Sequence, residues 1–377
     1  MRRFGLTLGE ALLLALLAAW SLIPLAAGVV HLIADGDVLA GTDGIGQTDH
    51  YQYLAWVREA GEHVLISNRF DLAAEDPVYL QPMWVVSGLA WAAGLPVQAA
   101  FLLWKPVCVL ALFAGCAAYV RRTLEGRLER LAALALALFY FPPTTALLGR
   151  TGIGDDVQDG LGYLFTFQLT PATYLWGYVQ TAIAVGLMPV FFLALERRPL
   201  AAAAAGLAVS WVHPWQGLVL IAVGGTLALW QRRPAAYALP LAATAAPIAY
   251  FAVLSRTDTS WEEGGGELAA SHQWGWLLLA LAPLAVFAIA GLRRPLDLQD
   301  RVLILWPLAT LAIYGLLDRT FFFNTLSGLS IPLAVLAVRG AKRIRSAGPL
   351  VTERRAGLAG GASAAALALA TFPGMAD

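Results

Sequence analysis

Asp49 is the acidic side chain whose surroundings suggest chemistry most directly. Thr48 is a suitable N-cap, and a helix is predicted over Asp49–Gly61. Asp49, Tyr53 and Trp56 share one face of that helix. A carboxylate in such a place is able to take a proton from an attacking hydroxyl group. The helix dipole also favours an acid in a first turn without any function, so a catalytic and a structural interpretation both stay open.

A second polar group interrupts an apolar stretch near residue 213. His213 precedes Pro214 and Gln216 follows it, inside the apolar segment 199–231. Proline breaks a helix, and broken backbone at membrane depth requires burial in protein or a wet cavity. The pattern therefore predicts a polar cavity next to His213 and Gln216. The structural alternative is that His213 only binds a carbonyl group freed by the break.

These residues lie in a chain with the composition of an integral membrane protein. Apolar residues make up 59% of the 377 residues and charged residues 13%, whereas soluble domains contain about 25% charged residues. The excess forms runs such as Leu12–Ile33 and Val97–Val120, and about 20 helical residues span a bilayer core. A net charge of zero argues against nucleic acid as a partner. The predicted fold class is all-α, a polytopic transmembrane helical bundle that forms a single domain over residues 1–377.

The arginine and lysine residues predict the orientation, because cytoplasmic loops keep an excess of them. With a cytoplasmic N-terminus, nine full crossings are predicted at 9–33, 97–120, 131–148, 172–195, 235–254, 273–291, 302–317, 326–338 and 356–371. All but six of the 25 Lys and Arg residues then face the cytoplasm. The six are Arg58, Arg69, Lys105, Arg150, Arg256 and Arg319. The predicted location is the plasma (inner) membrane, with an extracytoplasmic C-terminus.

The segment 199–231 does not fit this alternation. It lies between two arginine pairs that both belong inside, so a single crossing would break the charge pattern. As one helix it would be about 50 Å long, which is too long for an untilted span. With Pro214 near its middle, the segment predicts a short re-entrant hairpin of two broken helices.

Two extracytoplasmic loops are predicted, at 34–96 and 149–173. The first is long and rich in aromatic residues, and long loops are usually functional or disordered. Its apolar part Met83–Leu95 is too short to span and is expected to lie along the outer surface or to dip into the membrane. Trp84, Trp91 and Trp104 fit an interfacial aromatic belt. The acidic, glycine-rich loop Trp261–Glu267 is expected to be flexible and solvated.

The order of these elements resembles the GT-C superfamily of glycosyltransferases, which use lipid-linked sugars. A short tail and one helix precede a large outer loop, which opens with Thr48-Asp49-His50-Tyr51-Gln52-Tyr53-Leu54. Many members have Asp-Glu where this chain has Asp49-His50. The hairpin at 199–231 also resembles a family feature, whose turn often carries Thr-Lys where this chain has His213-Pro214. Many members continue into a soluble outer domain, so a C-terminal extracytoplasmic domain is expected to be missing here.

The resemblance implies an inverting hexosyl or pentosyl transfer from a polyprenyl-phosphate donor to an envelope glycan, lipid or protein acceptor. Asp49 would take the proton of the attacking hydroxyl group. The candidates for stabilising the leaving phosphate are Lys105, Arg150 and Arg319. The candidates for acceptor or cavity contacts are Tyr53, Arg69, His213 and Gln216. A divalent cation, Mg²⁺ or Mn²⁺, would be held by Asp49, His50, Asp155 and Asp156.

Two other functions stay open. A non-catalytic membrane scaffold or assembly protein is the nearer alternative, because a fold does not determine a function. A transporter is less favoured, since charges deep in the predicted spans are scarce and no inverted repeat is visible. Plain structural roles also exist for single residues, with Lys105 and Arg319 reaching the interface and Asp155-Asp156 forming a solvated turn.

Overall fold

A computed structural model shows that the chain is built from helices. The described residues are 5–36, 47–68, 76–142, 167–195, 197–266, 272–295, 297–317 and 321–347. No β-strand forms among these residues, although Ile66 and Tyr79 make one isolated antiparallel bridge. The predicted all-α class is therefore confirmed. The last predicted crossing, 356–371, lies outside the described residues.

The helices are numbered in chain order. The first six are α1 (Leu8–Asp35), α2 (Gln47–His63), α3 (Pro82–Ala92), α4 (Val97–Leu102), α5 (Trp104–Thr123) and α6 (Arg127–Phe139). A 3₁₀ turn at Pro171–Leu175 precedes α7 (Val179–Ala194), α8 (Pro199–Val212), α9 (Pro214–Trp230) and α10 (Pro234–Thr257). Then follow α11 (Thr259–Gly266), α12 (Trp274–Gly291), α13 (Leu298–Leu316), a 3₁₀ turn at Phe322–Leu326 and α14 (Ser330–Ala347).

Several of these helices have the length and composition of membrane spans. Within the described residues, the five segments that qualify are Leu8–Ala34, Val97–Thr123, Pro234–Thr257, Trp274–Gly291 and Phe322–Ser346. The helices α7, α8 and α9 are also apolar but shorter, with 16, 14 and 17 residues. Apolar helices of this length are stable in lipid because they satisfy their own backbone hydrogen bonds. The protein is thus a membrane-embedded helical protein.

Helix α1 shows how local sequence sets the bounds of a span. The Thr7 hydroxyl accepts a hydrogen bond from the Glu10 amide, and the Glu10 carboxylate accepts one from the Thr7 amide at 2.8 Å. This capping box starts the helix, and Gly36 ends it in the left-handed conformation with φ 75°. Between them, apolar side chains such as Leu12 and Ile33 stay 62% and 80% exposed, as expected of a helix that contacts lipid.

Charged residues bring several helix ends together at one end of the protein, which we call the charged face. Arg121 at the end of α5 pairs with Glu10 in the first turn of α1 at 2.7 Å. Lys342 in α14 pairs with Glu129 in the first turn of α6, also at 2.7 Å. The charge pattern of the sequence also predicts that these helix ends lie on one side of the membrane.

Asp300, in the first turn of α13, lies at the centre of the charged face. It is 4% exposed and accepts hydrogen bonds from Arg339 at 2.7 Å and from Arg293 at 3.1 Å. Arg339 also donates to the backbone carbonyl of Thr123 at the end of α5. A buried carboxylate requires such partners, because an unpaired charge in a protein interior costs several kcal/mol. Asp300 and Arg339 together thereby connect α13 and α14 to the ends of α5 and α12.

Asp297 caps the same helix one turn earlier. Its carboxylate accepts hydrogen bonds from the Asp300 amide at 3.0 Å and from Arg122 at 2.7 Å. Burial alone would raise the pKa of Asp297, but these hydrogen bonds outweigh burial and hold its pKa below the usual value. The cap is therefore charged at neutral pH, which favours the start of α13 through the helix dipole.

Glycines allow pairs of helices to approach backbone to backbone. A Cβ atom at Gly115 in α5 would lie 1.9 Å from the carbonyl oxygen of Gly186 in α7. A Cβ atom at Gly340 in α14 would lie 1.9 Å from the carbonyl oxygen of Phe287 in α12. Small residues at such crossings are a main source of helix association in membranes, where close contact replaces the hydrophobic driving force.

Gly340→Ala is expected to lower the free energy of unfolding by about 1–3 kcal/mol, because the added methyl group must push α12 and α14 apart. Gly275→Ala in α12 is the matched control, since a Cβ atom there meets nothing within 4 Å. The control should be neutral or stabilising by about 1 kcal/mol through helix propensity. Thermal and denaturant unfolding in detergent measure both variants. Equal effects of the two substitutions would contradict the close crossing.

The break between α8 and α9 is a single residue. α8 ends at Val212, His213 is extended with φ −155° and ψ 88°, and α9 begins at Pro214. Proline at the first helical position loses nothing, because the amide it lacks would have had no partner inside the helix. Both helices pack against α10.

Several helices begin or end elsewhere than the sequence predicts. The crossing predicted at 97–120 is divided into α4 and α5, and that predicted at 326–338 corresponds to α14 at Ser330–Ala347. The crossing predicted at 172–195 is helical only from Val179, because Gly177 adopts φ 110° and interrupts the chain after the 3₁₀ turn. The crossing predicted at 131–148 is helical over Arg127–Phe139, and residues 143–148 lie outside the described part.

Two predictions that involve tryptophans were wrong. Residues 259–266 form helix α11 instead of a flexible loop, and the Trp261 ring lies 4.7 Å from the Tyr79 ring. Trp84 does not belong to an interfacial belt, because it is 2% exposed and stacks on Tyr53 with 5.2 Å between ring centroids. The contact of Trp261 with Tyr79 packs the first loop against α11, and the contact of Trp84 with Tyr53 lies within that loop.

Candidate functional site

Asp49 lies in the first turn of α2, where that helix meets the start of α7. The Tyr178 hydroxyl donates a hydrogen bond of 2.8 Å to Asp49 Oδ2. One turn along α2, the Tyr53 hydroxyl accepts a hydrogen bond of 3.0 Å from Gln180 Nε2. We call Asp49, Tyr53, Tyr178 and Gln180 the carboxylate group. It joins two residues of α2 to two residues of the chain around the start of α7.

Asp49 is half-buried, and within the described residues it forms no ion pair. Burial, and then the nearby Asp49 carboxylate, raise the pKa of Tyr53 far above its usual value. The Tyr53 hydroxyl therefore stays protonated. A half-buried carboxylate that accepts a hydrogen bond from a tyrosine is a candidate proton acceptor.

His50 is fully buried behind the carboxylate group. Its ring lies 5.9 Å from the Tyr178 ring and 6.0 Å from the Phe101 ring. It also packs against Gly177, where an added Cβ atom would lie 1.8 Å from His50 Nε2. Because Gly177 has φ 110°, its backbone conformation also favours glycine. His50 thus supports the turn that presents Tyr178 to Asp49.

Gly177→Ala is expected to destabilise the protein by about 1–3 kcal/mol from backbone strain alone, with the contact to His50 adding to this. Combining it with His50→Ala should relieve the steric part and leave the strain, so the two effects should not add. A double-mutant cycle of unfolding free energies measures this coupling. Additive effects would show that the two residues do not touch.

Two glutamines near Asp49, the buried Gln52 and the half-buried Gln180, have amide atoms without a partner among the described residues. Gln52 is 5% exposed, and neither end of its amide has a hydrogen-bond partner among the described residues. Gln180 Oε1 is likewise buried without a partner there. Asp49 and Gln52 are three residues apart in one helix, so their Cβ atoms are about 5–6 Å apart. Unsatisfied buried amides carry a cost that a hydroxyl-bearing ligand would remove.

Lys105, a candidate for phosphate binding, is turned into the protein. It is 6% exposed, and Nζ donates hydrogen bonds to the carbonyl oxygens of Ser21 at 2.6 Å and Leu175 at 2.7 Å. These bonds connect α1, α5 and the 3₁₀ turn that precedes Tyr178. A lipid phosphate would have to compete with both carbonyls, so phosphate binding by Lys105 stays a prediction beside this structural role.

His213 and Gln216 are both buried at the break between α8 and α9. Gln216 Nε2 donates to the backbone carbonyls of Asn324 at 2.8 Å and Ser327 at 3.1 Å. Gln168 Nε2 donates to Asn324 Oδ1 at 3.0 Å, and the Ser327 hydroxyl donates to Gln168 Oε1. We call Gln168, Gln216, Asn324 and Ser327 the amide group. The polar surroundings of the break thus come from distant parts of the chain.

One segment connects the two groups. The Phe167 ring lies 4.6 Å from the Tyr178 ring of the carboxylate group, and the next residue, Gln168, belongs to the amide group. The Tyr174 hydroxyl donates a hydrogen bond to the carbonyl of Gln168 and accepts one from the Gly328 amide. Residues 167–180 therefore carry contacts of both groups.

The other predicted site residues lie outside the described residues. They are Arg69, Arg150, Asp155, Asp156 and Arg319. Their convergence with Asp49 stays a prediction. Within the described ranges, no three His, Cys, Asp or Glu side chains come together as metal ligands. The His50 ring is packed among aromatic rings, so Asp49 and His50 alone do not provide a set of cation ligands.

Tyr178 and Gln180 are the site residues that the sequence analysis missed. They are separated from their partners by 129 and 127 positions, so no periodic pattern relates them. The one local signal is that the aromatic and polar residues of 173–180 precede an apolar run.

Comparisons with known proteins give no assignment for this arrangement. No family model, no curated protein and no solved structure matches the chain. The functional interpretation therefore depends on the residues of the chain itself.

Proposed function

We propose that this protein is a membrane glycosyltransferase that moves a sugar from a polyprenyl-phosphate donor to an envelope glycan, lipid or protein on the extracytoplasmic face. The observation that carries the proposal is the half-buried Asp49 carboxylate, which Tyr178 holds and which no cation pairs with among the described residues. It lies on the first helix after α1, at the position where the GT-C superfamily, which the sequence resembles, has an essential carboxylate.

The position of the carboxylate group along the helices supports a site near the extracytoplasmic surface of the membrane. Lys105 contacts Leu175, three residues before Tyr178, whereas Arg121 at the other end of α5 belongs to the charged face. At 1.5 Å per residue, these two side chains start about 24 Å apart along the helix axis. If the charged face is cytoplasmic, as the excess of arginine indicates, Asp49 lies near the opposite membrane surface.

The proposed reaction is a single displacement at the anomeric carbon of the donor sugar. The acceptor oxygen forms a bond to that carbon, and Asp49 takes the proton of the acceptor hydroxyl. The bond between that carbon and the phosphate oxygen breaks, and its electron pair leaves with the polyprenyl phosphate. The Tyr178 hydroxyl keeps the carboxylate in one orientation. Both ends of the Gln52 amide and the Oε1 atom of Gln180 have no hydrogen-bond partner among the described residues, and we propose that they bind hydroxyl groups of the substrates.

The finer topology belongs to the same proposal. It comprises nine crossings, a re-entrant hairpin at 199–231, a cytoplasmic N-terminus and an extracytoplasmic C-terminus in the plasma membrane. The grouping of helix ends at the charged face supports it. Stabilisation of the leaving phosphate is proposed for Arg150 and Arg319. Binding of a divalent cation would require Asp155 and Asp156 to lie next to Asp49.

Mass spectrometry of envelope glycans and glycolipids tests the proposal in a deletion strain. The deletion is restored with wild type, with Asp49→Asn, or with Glu62→Gln, at equal membrane abundance. Glu62 is an exposed acid on the same helix and controls for the loss of one negative charge. We expect wild type and Glu62→Gln to restore a sugar that Asp49→Asn does not. Full restoration by Asp49→Asn would favour the scaffold function, and a deletion that loses no sugar would contradict transfer.

A further inference from the structure

The first turn of α13 divides the charged face into two parts. On one side, Asp297 and Asp300 pair with Arg122, Arg293 and Arg339. On the other side, the same turn contacts the ends of α7 and α9. Gln299 Nε2 donates a hydrogen bond of 2.9 Å to the carbonyl of Phe192 in α7. The Arg301 guanidinium lies 5.1 Å from the centre of the Trp230 ring at the end of α9.

The second part of the charged face carries arginines that form no ion pair in the part of the chain that the structure describes. Arg197 and Arg198 follow α7, Arg232 and Arg233 follow α9, and Arg301 lies in the first turn of α13. We call these five residues the arginine cluster. Within the described chain, none of the five forms an ion pair with an acid. The four residues outside α13 are exposed. Among the described residues, the cluster therefore carries positive charge that no ion pair neutralises.

The backbone of Arg232 provides a second, independent observation. The Arg233 amide donates to the carbonyl of Ala228 at 3.1 Å, and the Arg232 amide donates to that of Leu229 at 3.1 Å. These two bonds define a Schellman motif, whose left-handed residue is usually glycine. Here that residue is Arg232, with φ 54°. A strained backbone that keeps a charged side chain where glycine would fit points to a function for the charge.

The surroundings of the cluster have the character of a membrane surface. Leu200 at the start of α8 and Leu229 at the end of α9 are each 76% exposed, and Trp230 is 49% exposed. Exposed leucines suit acyl chains, and tryptophan prefers the level of the lipid headgroups. Guanidinium groups bind phosphate through paired hydrogen bonds. The site thus offers both an apolar surface and phosphate-binding groups at the ends of membrane helices.

We propose that the arginine cluster binds the headgroup of an acidic phospholipid in the leaflet at the charged face. The phosphate lies between the ends of α7 and α9 and the start of α13, and the acyl chains run along Leu200 and Leu229. A bound lipid would hold these three elements together where no acid does so among the described residues. This site is separate from the carboxylate group and does not depend on the proposed transfer reaction.

Native mass spectrometry of the full-length protein in detergent tests this, with phosphatidylglycerol or phosphatidylcholine added at equal concentration. We expect at least about tenfold greater retention of phosphatidylglycerol, weakened by salt. The double variant Arg232→Gly with Arg233→Gln should lose most of this preference. The control Arg127→Gln with Arg294→Gln removes two exposed charges elsewhere on the charged face and should keep it.

Arg232→Gly alone separates lipid binding from folding. It removes backbone strain, so its unfolding temperature without added lipid should equal or exceed that of wild type while phosphatidylglycerol retention falls. Equal losses of preference in the two double variants would overturn the site and leave only a general attraction to the charged face. Equal retention of both lipids would also overturn it, as would displacement of the lipid by inorganic phosphate at the same concentration.

Discussion

Asp49→Asn is expected to slow sugar transfer by about 10³-fold, within the range that general-base catalysis contributes. Asparagine has the same shape and still offers Tyr178 an oxygen acceptor, but it cannot take a proton at neutral pH. The fold and the binding of the donor lipid should therefore be retained. The measurement is the initial rate of transfer in proteoliposomes, with the polyprenyl-phosphate sugar that the restoration experiment identifies.

Two further variants show whether the loss of activity comes from the Asp49 carboxylate itself, from its hydrogen bond, or from the loss of a negative charge. Tyr178→Phe keeps the carboxylate and removes only its hydrogen bond, so a decrease of about 5- to 10-fold is expected, equivalent to about 1 kcal/mol. Glu62→Gln should transfer at the wild-type rate. An Asp49→Asn protein within tenfold of wild type would rule out Asp49 as the base, whatever the other two variants show.

Asp300→Asn is expected to lower the free energy of unfolding by about 3 kcal/mol, because it leaves a buried guanidinium without its counter-charge. The Asp300 side chain is 4% exposed and that of Arg339 is 13% exposed, so solvent screens this pair poorly. Denaturant unfolding in detergent measures the change. No loss of transfer activity beyond the unfolded fraction is expected, since Asp300 lies at the charged face.

Arg293→Gln is the matched control for this prediction. Arg293 binds the same carboxylate, but its side chain is 51% exposed, so its loss should change stability by only about 0–1 kcal/mol. Asp300→Asn combined with Arg339→Met should recover part of the stability, because the orphaned charge is removed as well. If Arg293→Gln is as destabilising as Asp300→Asn, the burial of the Asp300–Arg339 pair does not explain how much the network stabilises the protein.

The sequence predicts the long spans well because their bounds are encoded locally. α1 was expected at 9–33 and runs over Leu8–Asp35, with an apolar run between a capping box and a glycine. Segments whose conformation depends on distant contacts were predicted poorly. Hydropathy does not report the left-handed backbone of Gly177. This backbone conformation moves the start of α7 to Val179. The composition of 261–267 predicts a solvated loop. In the structure, Trp261 packs on Tyr79, which lies more than 180 residues earlier in the chain.

The site shows the same division between local and distant information. Asp49 and Tyr53 are recognisable because they share one helix face behind a suitable cap. Their partners Tyr178 and Gln180 come from the start of another helix, and only the fold relates the two. Lys105 is a candidate for phosphate binding because the sequence places it near a helix end. Its contacts with backbone carbonyls depend on how α1 and the 3₁₀ turn pack around it, which the sequence does not show.

Synthesis from the N-terminus makes the partners of the charged face available in a fixed order. Glu10 can meet Arg121 once α5 has been made, and Asp300 has the exposed Arg293 as an early partner. Its less exposed partner Arg339 comes 39 residues later, so at about 5–20 residues per second Asp300 waits roughly 2–8 s for it. Until α14 has been made, Asp300 has only the more exposed of its two arginine partners. We therefore expect a chain that stalls before α14 to leave this acid incompletely compensated and to lack the ion pair that joins α13 to α14.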